Sequence, residues 1–151
     1  MKSRLILCVT LIIMFGLLGR VHAGETIKDF TTDGCSLSPD GTPADPDKWC
    51  ECCVEHDKLY WKGGTYTDRL NADIALGKCV TEDSGSAVLG NAYFLGVRIG
   101  GSPYFDTPFR WGYGWNYGRG YKALTPAEAA DANKKLNTYM DKHPDPCAEL
   151  F

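Results

Sequence analysis

Six cysteines, Cys35, Cys50, Cys52, Cys53, Cys79 and Cys147, constrain this chain more than any other feature. A seventh, Cys8, lies in an N-terminal stretch of different character. There Lys2 and Arg4 precede an apolar run from Leu5 to Leu18, and Val21-His22-Ala23 offers a small-residue cleavage site before Gly24. That is the three-part layout of a secretory signal, and the run is shorter than the roughly 18–20 apolar residues that span a bilayer. We therefore expect residues 1–23 to be a signal peptide cleaved near Ala23, and 24–151 to be one domain that is secreted or periplasmic. Without Cys8 the cysteine count is even, which in a short exported chain points to a disulfide framework. Six cysteines allow fifteen pairings, and the count alone does not choose among them.

Charge narrows the partners. Removing Lys2, Arg4 and Arg20 from the 16 basic residues leaves 13 against 19 acidic ones, a net −6 over the remaining 128 residues. No Lys- or Arg-rich run is present, so a nucleic-acid module is not expected, because such modules cluster their basic residues. The 44% hydrophobic and 23% charged content is that of a globular chain.

Turn-forming residues dominate 24–46, with Asp33-Gly34-Cys35-Ser36, Ser38-Pro39-Asp40-Gly41 and Pro43-Ala44-Asp45-Pro46 in succession. Asp45-Pro46 reads as an N-cap followed by proline at the first helical position. The helix it opens is expected to run to about Lys62 and stop at Gly63-Gly64. Thr67-Asp68 starts a second helix to about Val80, and the short joining loop makes the two an antiparallel pair. Residues 87–99 suit a helix or a strand. The glycine- and aromatic-rich stretch from Gly100 to Tyr121 reads as a loop or small hairpin. Thr125-Pro126-Ala127-Glu128 is a capping box, and Leu136, Tyr139 and Met140 give the helix after it an apolar stripe that ends before Pro144. The fold class expected is all-α: a small, disulfide-rich, mainly helical domain built on two antiparallel core helices.

Chemistry-bearing residues are densest in Cys50-Glu51-Cys52-Cys53-Val54-Glu55-His56-Asp57-Lys58-Leu59-Tyr60. On a helix, Cys52, His56 and Tyr60 share one face, and Cys53 and Asp57 form the neighbouring row. Beyond Ala23 the only other histidine is His143, beside Pro144, which leaves His56 as the candidate imidazole base. Such a base needs a carboxylate to hold its tautomer and stabilise its charged form. Asp57 is adjacent and points elsewhere on the helix. Asp73, in the small and apolar stretch Asn71-Ala72-Asp73-Ile74-Ala75, is the better choice, since an acid there is costly to bury without a partner. Asp68 competes, but its place beside Thr67 suits helix capping. Asp57 is then free to bind a hard cation such as Ca²⁺, with the Asp33-Gly34 turn as a second source of oxygen ligands.

The run Cys52-Cys53-Val54-Glu55-His56-Asp57, followed by Tyr60, resembles the active-site helix of the secreted phospholipase A2 superfamily. Thr32-Asp33-Gly34-Cys35 with Ser38-Pro39-Asp40 is similar to the calcium loop of that superfamily's bacterial and fungal branch. Asp73 and Cys79 stand six apart, as do the family's His-orienting aspartate and a following cysteine. The resemblance covers about residues 31–80. It implies a phospholipase A2-like fold and calcium-dependent hydrolysis of the sn-2 ester of glycerophospholipids by an activated water. His56 would be the base, Asp73 its orienting acid, and Tyr60 a support for their hydrogen bonds. Asp57 would be the principal Ca²⁺ ligand, with Asp33 and Gly34 as further candidates. It also implies the bridges Cys35–Cys53 and Cys52–Cys79, and the cysteines then remaining, Cys50 and Cys147, are expected to pair. The chain lacks the glycine-rich calcium loop of the animal enzymes, so carbonyl ligands are not carried over from it.

Two other readings compete. Cys50, Cys52, Cys53 and His56 are zinc-type ligands, although four on one helix do not converge tetrahedrally and an exported chain favours bridges. A catalytically silent lipid- or protein-binding module or toxin would keep the fold without turnover, yet has no need of His56, Asp57 and Asp73 together. The expected partner is phospholipid at a membrane or micelle surface, with no nucleic acid and no stable protein partner. Residues 104–121, rich in Trp and Tyr, are either an interfacial surface resting on lipid through residues such as Trp111 and Trp115, or core and loop packing. Strong attraction to anionic membranes would need Arg98, Arg110 and Arg119 to cluster.

Overall fold

The computed structural model describes residues 25–151, so the expected signal segment at 1–23 lies outside the described residues. Among the described residues five helices follow an irregular segment that begins at Glu25: α1 (Cys50–Lys62), α2 (Tyr66–Ser84), α3 (Ala87–Gly100), α4 (Pro126–Lys142) and α5 (Pro146–Leu150). Among the described residues no helix is long and apolar enough to cross a membrane. The domain is mainly helical and carries three disulfides, Cys35–Cys53, Cys52–Cys79 and Cys50–Cys147. With every cysteine of the α1 run in a bridge, no thiolate is left there for zinc.

α1 begins four residues later than the Asp45-Pro46 signal predicts. The residues before it are held as turns: Thr42 and Asp45 pair as an isolated bridge, the Trp49 amide donates to the Asp40 carbonyl, and the Trp49 indole donates to Pro39 O. These tertiary bonds outcompete a local cap. α1 ends at Lys62 with Gly63 following, as expected. α2 opens on a capping box between Thr65 and Asp68, which gives Asp68 the capping role and leaves Asp73 for other work. It runs on to Ser84 and stops at Gly85, which has a left-handed φ of 72°.

The start of α1 is bridged to the late part of α2 by Cys52–Cys79, so the two helices run antiparallel. α3 folds back along α2. Their backbones approach so closely that a Cβ on Gly90 would collide with the Gly77 carbonyl and the Thr81 hydroxyl, which is why glycine stands there. Cys35, Cys52, Cys53, Trp49, Leu76, Val80 and Tyr93 form one core cluster, with Cys79 packed against it. A second cluster joins Ile27 and Phe30 of the N-terminal segment to Trp61, Trp115 and Ala132, with Leu136 and Tyr139 of α4 packed against it.

The segment from Gly101 to Leu124 has no regular structure, and its composition has a specific use. The last carbonyls of a helix have no partner within the helix. Here the Gly112 and Gly114 amides bond to Tyr60 O (2.6 Å) and Trp61 O (3.2 Å). The Trp115 and Trp111 indoles donate to Lys62 O (2.7 Å) and Gly64 O (3.0 Å). Trp111 and Trp115 are therefore buried around the end of α1, not displayed to lipid; Tyr104, Phe105 and Tyr117 of the same stretch are exposed.

Cys50–Cys147 holds α5 against α1 and closes 97 residues of chain. Replacing both cysteines by Ala should cost about 2–5 kcal/mol. Thermal denaturation would show this as a fall in Tm of at least about 5 °C. An unchanged Tm would mean that packing of Val54 against the bridge already holds the C-terminus.

Candidate active site

The antiparallel pairing sets His56 and Tyr60 of α1 opposite Asp73 of α2. His56 Nε2 lies 3.0 Å from Asp73 Oδ1, and the Tyr60 hydroxyl donates to the same oxygen at 2.7 Å. Asp73 is 0% exposed. An ionised carboxylate only accepts, so His56 carries its proton on Nε2 and keeps Nδ1 as the free base. Burial drives the His56 imidazole toward its neutral form more strongly than Asp73 favours the cation, and its pKa lies below the ordinary value. Burial also works against the Asp73 charge, but hydrogen bonds from His56, Arg98 and Tyr60 outweigh it and hold its carboxyl below the usual range. Desolvation raises the Tyr60 phenol, which stays a neutral donor.

Two residues of this network carry no signal in the cysteine–histidine motif. Arg98 Nη1 donates to Asp73 Oδ2 at 2.7 Å. Arg69 donates from Nε to Tyr60 Oη at 3.0 Å and from its other nitrogens to Tyr121 Oη and the carbonyls of Val97 and Arg98. A hint of each is readable. Arg69 stands four residues before Asp73, the spacing of a helical ion pair. Arg98 is the sole charge in an otherwise uncharged helix.

Asp57 faces the other way, as its row on α1 requires. Its Oδ2 accepts from the Thr32 hydroxyl at 2.7 Å. Burial, with the negative charges of Asp33 and Asp40 adding to it against the Thr32 bond, pushes the Asp57 carboxyl up to about 8. Among the described residues no Lys or Arg pairs with Asp33, Asp40 or Asp57. The loop that carries two of these acids is pinned by Cys35–Cys53, by the Cys35 amide on Asp40 Oδ1 at 2.6 Å, and by Trp49 and Tyr93 on Pro39 O. Gly34 adopts φ 72° there, and a Cβ on it would strike the Asp40 carboxylate. Asp33 is exposed and accepts from Ser36 Oγ at 2.6 Å.

This donor set suits a hard cation: an uncompensated carboxylate, two further acids on a pinned loop and a buried turn glycine are the oxygen sources that Ca²⁺ takes. The carboxylates are not preassembled, however. Among the described residues, the groups of three or more acidic, Cys or His ligand atoms within 4.8 Å of one another are Cys35–Asp40–Cys53 and Cys52–Cys79–Asp83, whose cysteines are all bridged. Asp33, Asp40 and Asp57 do not form a third.

His56 and Asp57 both line a cavity of about 330 Å³, whose walls include Leu37, Leu76, Ala92, Tyr93, Val97 and Phe109. Asp57 also borders a second cavity of about 280 Å³ with Thr32, Asp33 and Tyr113. The arrangement is a buried neutral base on an apolar chamber, with an unpaired acid on the chamber's wall. Such a site can deprotonate a water against a bound apolar substrate. Comparison with protein-family models, curated proteins and solved structures returned no match.

Proposed function

We propose that this protein is a secreted, calcium-dependent phospholipase A2 that hydrolyses the sn-2 ester of glycerophospholipids. The observation that carries the reading is the buried His56–Asp73 pair at the wall of an apolar cavity that also holds Asp57. His56 takes a proton at Nδ1 from the water that attacks the ester carbonyl. Asp73 keeps the ring aligned through Nε2 and offsets the imidazolium charge, and Tyr60 donates to the same carboxylate oxygen. Asp57, with Asp33 and the Gly34 carbonyl, would hold Ca²⁺, whose chemistry when bound is Lewis-acid polarisation of the carbonyl and stabilisation of the oxyanion. The apolar walls receive an acyl chain and exclude water.

The test is release of fatty acid and lysophospholipid from phosphatidylcholine with Ca²⁺ and with chelator. Hydrolysis that chelator abolishes and Ca²⁺ restores is expected. Tight lipid binding with no turnover in saturating Ca²⁺ would replace the enzyme with a silent lipid-binding module.

The same reading places the substrate in an aggregate, and the surface around the cavity supports it. Leu37, 90% exposed with a left-handed φ of 60°, lines the cavity together with Ala92 and Gly96 of α3. Val88, Leu95 and Ile99 of α3 are exposed as well. A leucine in that conformation costs free energy, and it is not offset by burial. Arg98, Arg110 and Arg119 form no basic patch: they bond to Asp73, to Trp115 O, and to Glu25 and Glu128 respectively. The surface therefore suits a neutral or zwitterionic lipid face. Replacing Val88 and Ile99, which are exposed on α3 and do not line the cavity, together by Ser should lower activity on micelles about tenfold, roughly 1.4 kcal/mol, which is less than the burial of one such side chain supplies. Activity on monomeric short-chain substrate should stay within about twofold. Equal losses on both would remove the interfacial surface.

A further inference from the structure

We propose that Arg98, on α3, is the positioning residue that aims Asp73 at His56 and so locks the imidazole in the tautomer that serves as base. This rests on the phospholipase reading for its kinetic consequence, but its structural content stands on geometry alone. The two oxygens of Asp73 have separate duties. Oδ1 accepts from His56 Nε2 and Tyr60 Oη, while Oδ2 accepts from Arg98 Nη1 at 2.7 Å. A carboxylate anchored only at Oδ1 is free to turn about its Cβ–Cγ bond; a charge-assisted bond at Oδ2 removes that freedom.

Arg69 does not duplicate this role. Its Nε is 3.6 Å from Asp73 Oδ2, too long for a hydrogen bond, and its donors are committed to Tyr60, Tyr121 and the carbonyls at the end of α3. It staples α3 to α2, and the staple brings Arg98 to the acid. Arg98 is steadied from its outer side by Tyr66, whose hydroxyl accepts from Nη2 at 3.1 Å and whose ring lies 5.2 Å from the guanidinium carbon. The orientation of the dyad therefore depends on a third helix, and the guanidinium that conveys it reaches a half-exposed tyrosine.

The experiment uses the metal-free protein, from Gly24 onward, labelled with ¹⁵N-histidine. In this chain His56 is expected to show the Nε2–H pattern with a slowly exchanging ring proton, and His143, on the surface beside Glu149, serves as internal reference. Arg98→Met should mix the two tautomers and lose the slow proton, whereas Arg98→Lys, which keeps one donor for Oδ2, should retain both. In hydrolysis assays Arg98→Met should lower kcat about 10- to 100-fold with KM within about twofold, and Lys should recover most of the loss. A Met variant that keeps the Nε2–H pattern and the slow proton would overturn the proposal. If Arg98→Met does not fold, Tyr66→Phe decides: faster exchange of the His56 ring proton supports the role, and an unchanged proton overturns it. Should the parent chain hydrolyse no phospholipid, the enzyme reading fails while the tautomer measurement still decides the role of Arg98.

Discussion

His56→Gln is expected to reduce kcat on phosphatidylcholine about 100- to 10,000-fold, the range a general base contributes. Glutamine keeps an N–H that can reach Asp73 Oδ1 but offers no basic nitrogen to the cavity, so the variant separates base chemistry from the buried hydrogen bond. Its fold should survive, because Gln suits a helix and the Asp73–Arg98 and Asp73–Tyr60 bonds remain. KM should change little, as the apolar cavity walls, which on the phospholipase reading would take the acyl chain, are untouched. The pH profile of the parent protein carries a second check. Because the His56 pKa is depressed, the base stays unprotonated below the ordinary histidine value of about 6.5, and in Ca²⁺ kept saturating at every pH the activity should hold its plateau to a lower pH than a solvent-exposed imidazole would allow. The linked stability has the same sign. The unfolded chain binds the His56 proton first, so folding loses free energy as pH falls below about 6.5 and on through the lowered folded value. A His56→Gln variant that retains more than a tenth of the parent kcat would rule out His56 as the base.

How much of this was readable beforehand follows from the range of the forces involved. Local signals succeeded where the partners are close in sequence. The Thr125–Glu128 capping box opens α4, and Gly63 ends α1. Choosing Asp73 over Asp68 was possible because one acid sits among small apolar residues and the other beside a capping threonine. The start of α1 departs from the local signal because Asp45-Pro46 is a sound cap in isolation, yet Trp49 is drawn back to Asp40 and Pro39 by bonds whose geometry no local pattern contains. The 101–124 segment was ambiguous for a similar reason. Its glycines and tryptophans suit either an interfacial surface or core packing until their partners, carbonyls at and just past the end of α1 some fifty residues away, are known. In the sequence Arg98 is a lone charge with no local partner. Only the folding of α3 along α2 brings it to a carboxylate 25 positions earlier.

Asp57→Asn should have two effects of opposite sign, abolishing activity while stabilising the metal-free protein. In the absence of a cation the Asp57 carboxyl titrates near 8, because burial and the neighbouring Asp33 and Asp40 oppose its charge. An unfolded aspartate titrates near 3.9. The folded state therefore holds a proton that the unfolded state has lost, and the stability this group contributes is complete below about pH 4 and disappears as pH rises through about 8. Asparagine cannot ionise and keeps a carbonyl to accept from Thr32. With chelator present, the variant should melt above the parent at pH 8, and the difference should shrink to nothing near pH 4. On the calcium reading, a bound cation would offset the carboxylate charge that forms as this proton leaves. At 100 times its Kd, Ca²⁺ should stabilise the parent by about 2.7 kcal/mol and leave the variant unmoved. Hydrolysis by the variant should fall at least about 100-fold, the loss seen when one oxyanion-stabilising element is removed. Calorimetry of both proteins at pH 4 and pH 8, with chelator and with Ca²⁺, reads the stability effects, and release of fatty acid reads the loss of hydrolysis. A parent protein whose Tm ignores Ca²⁺ at both pH values would mean that Asp57 is not a metal ligand, and that a buried carboxyl without a cationic partner at the cavity wall requires another explanation.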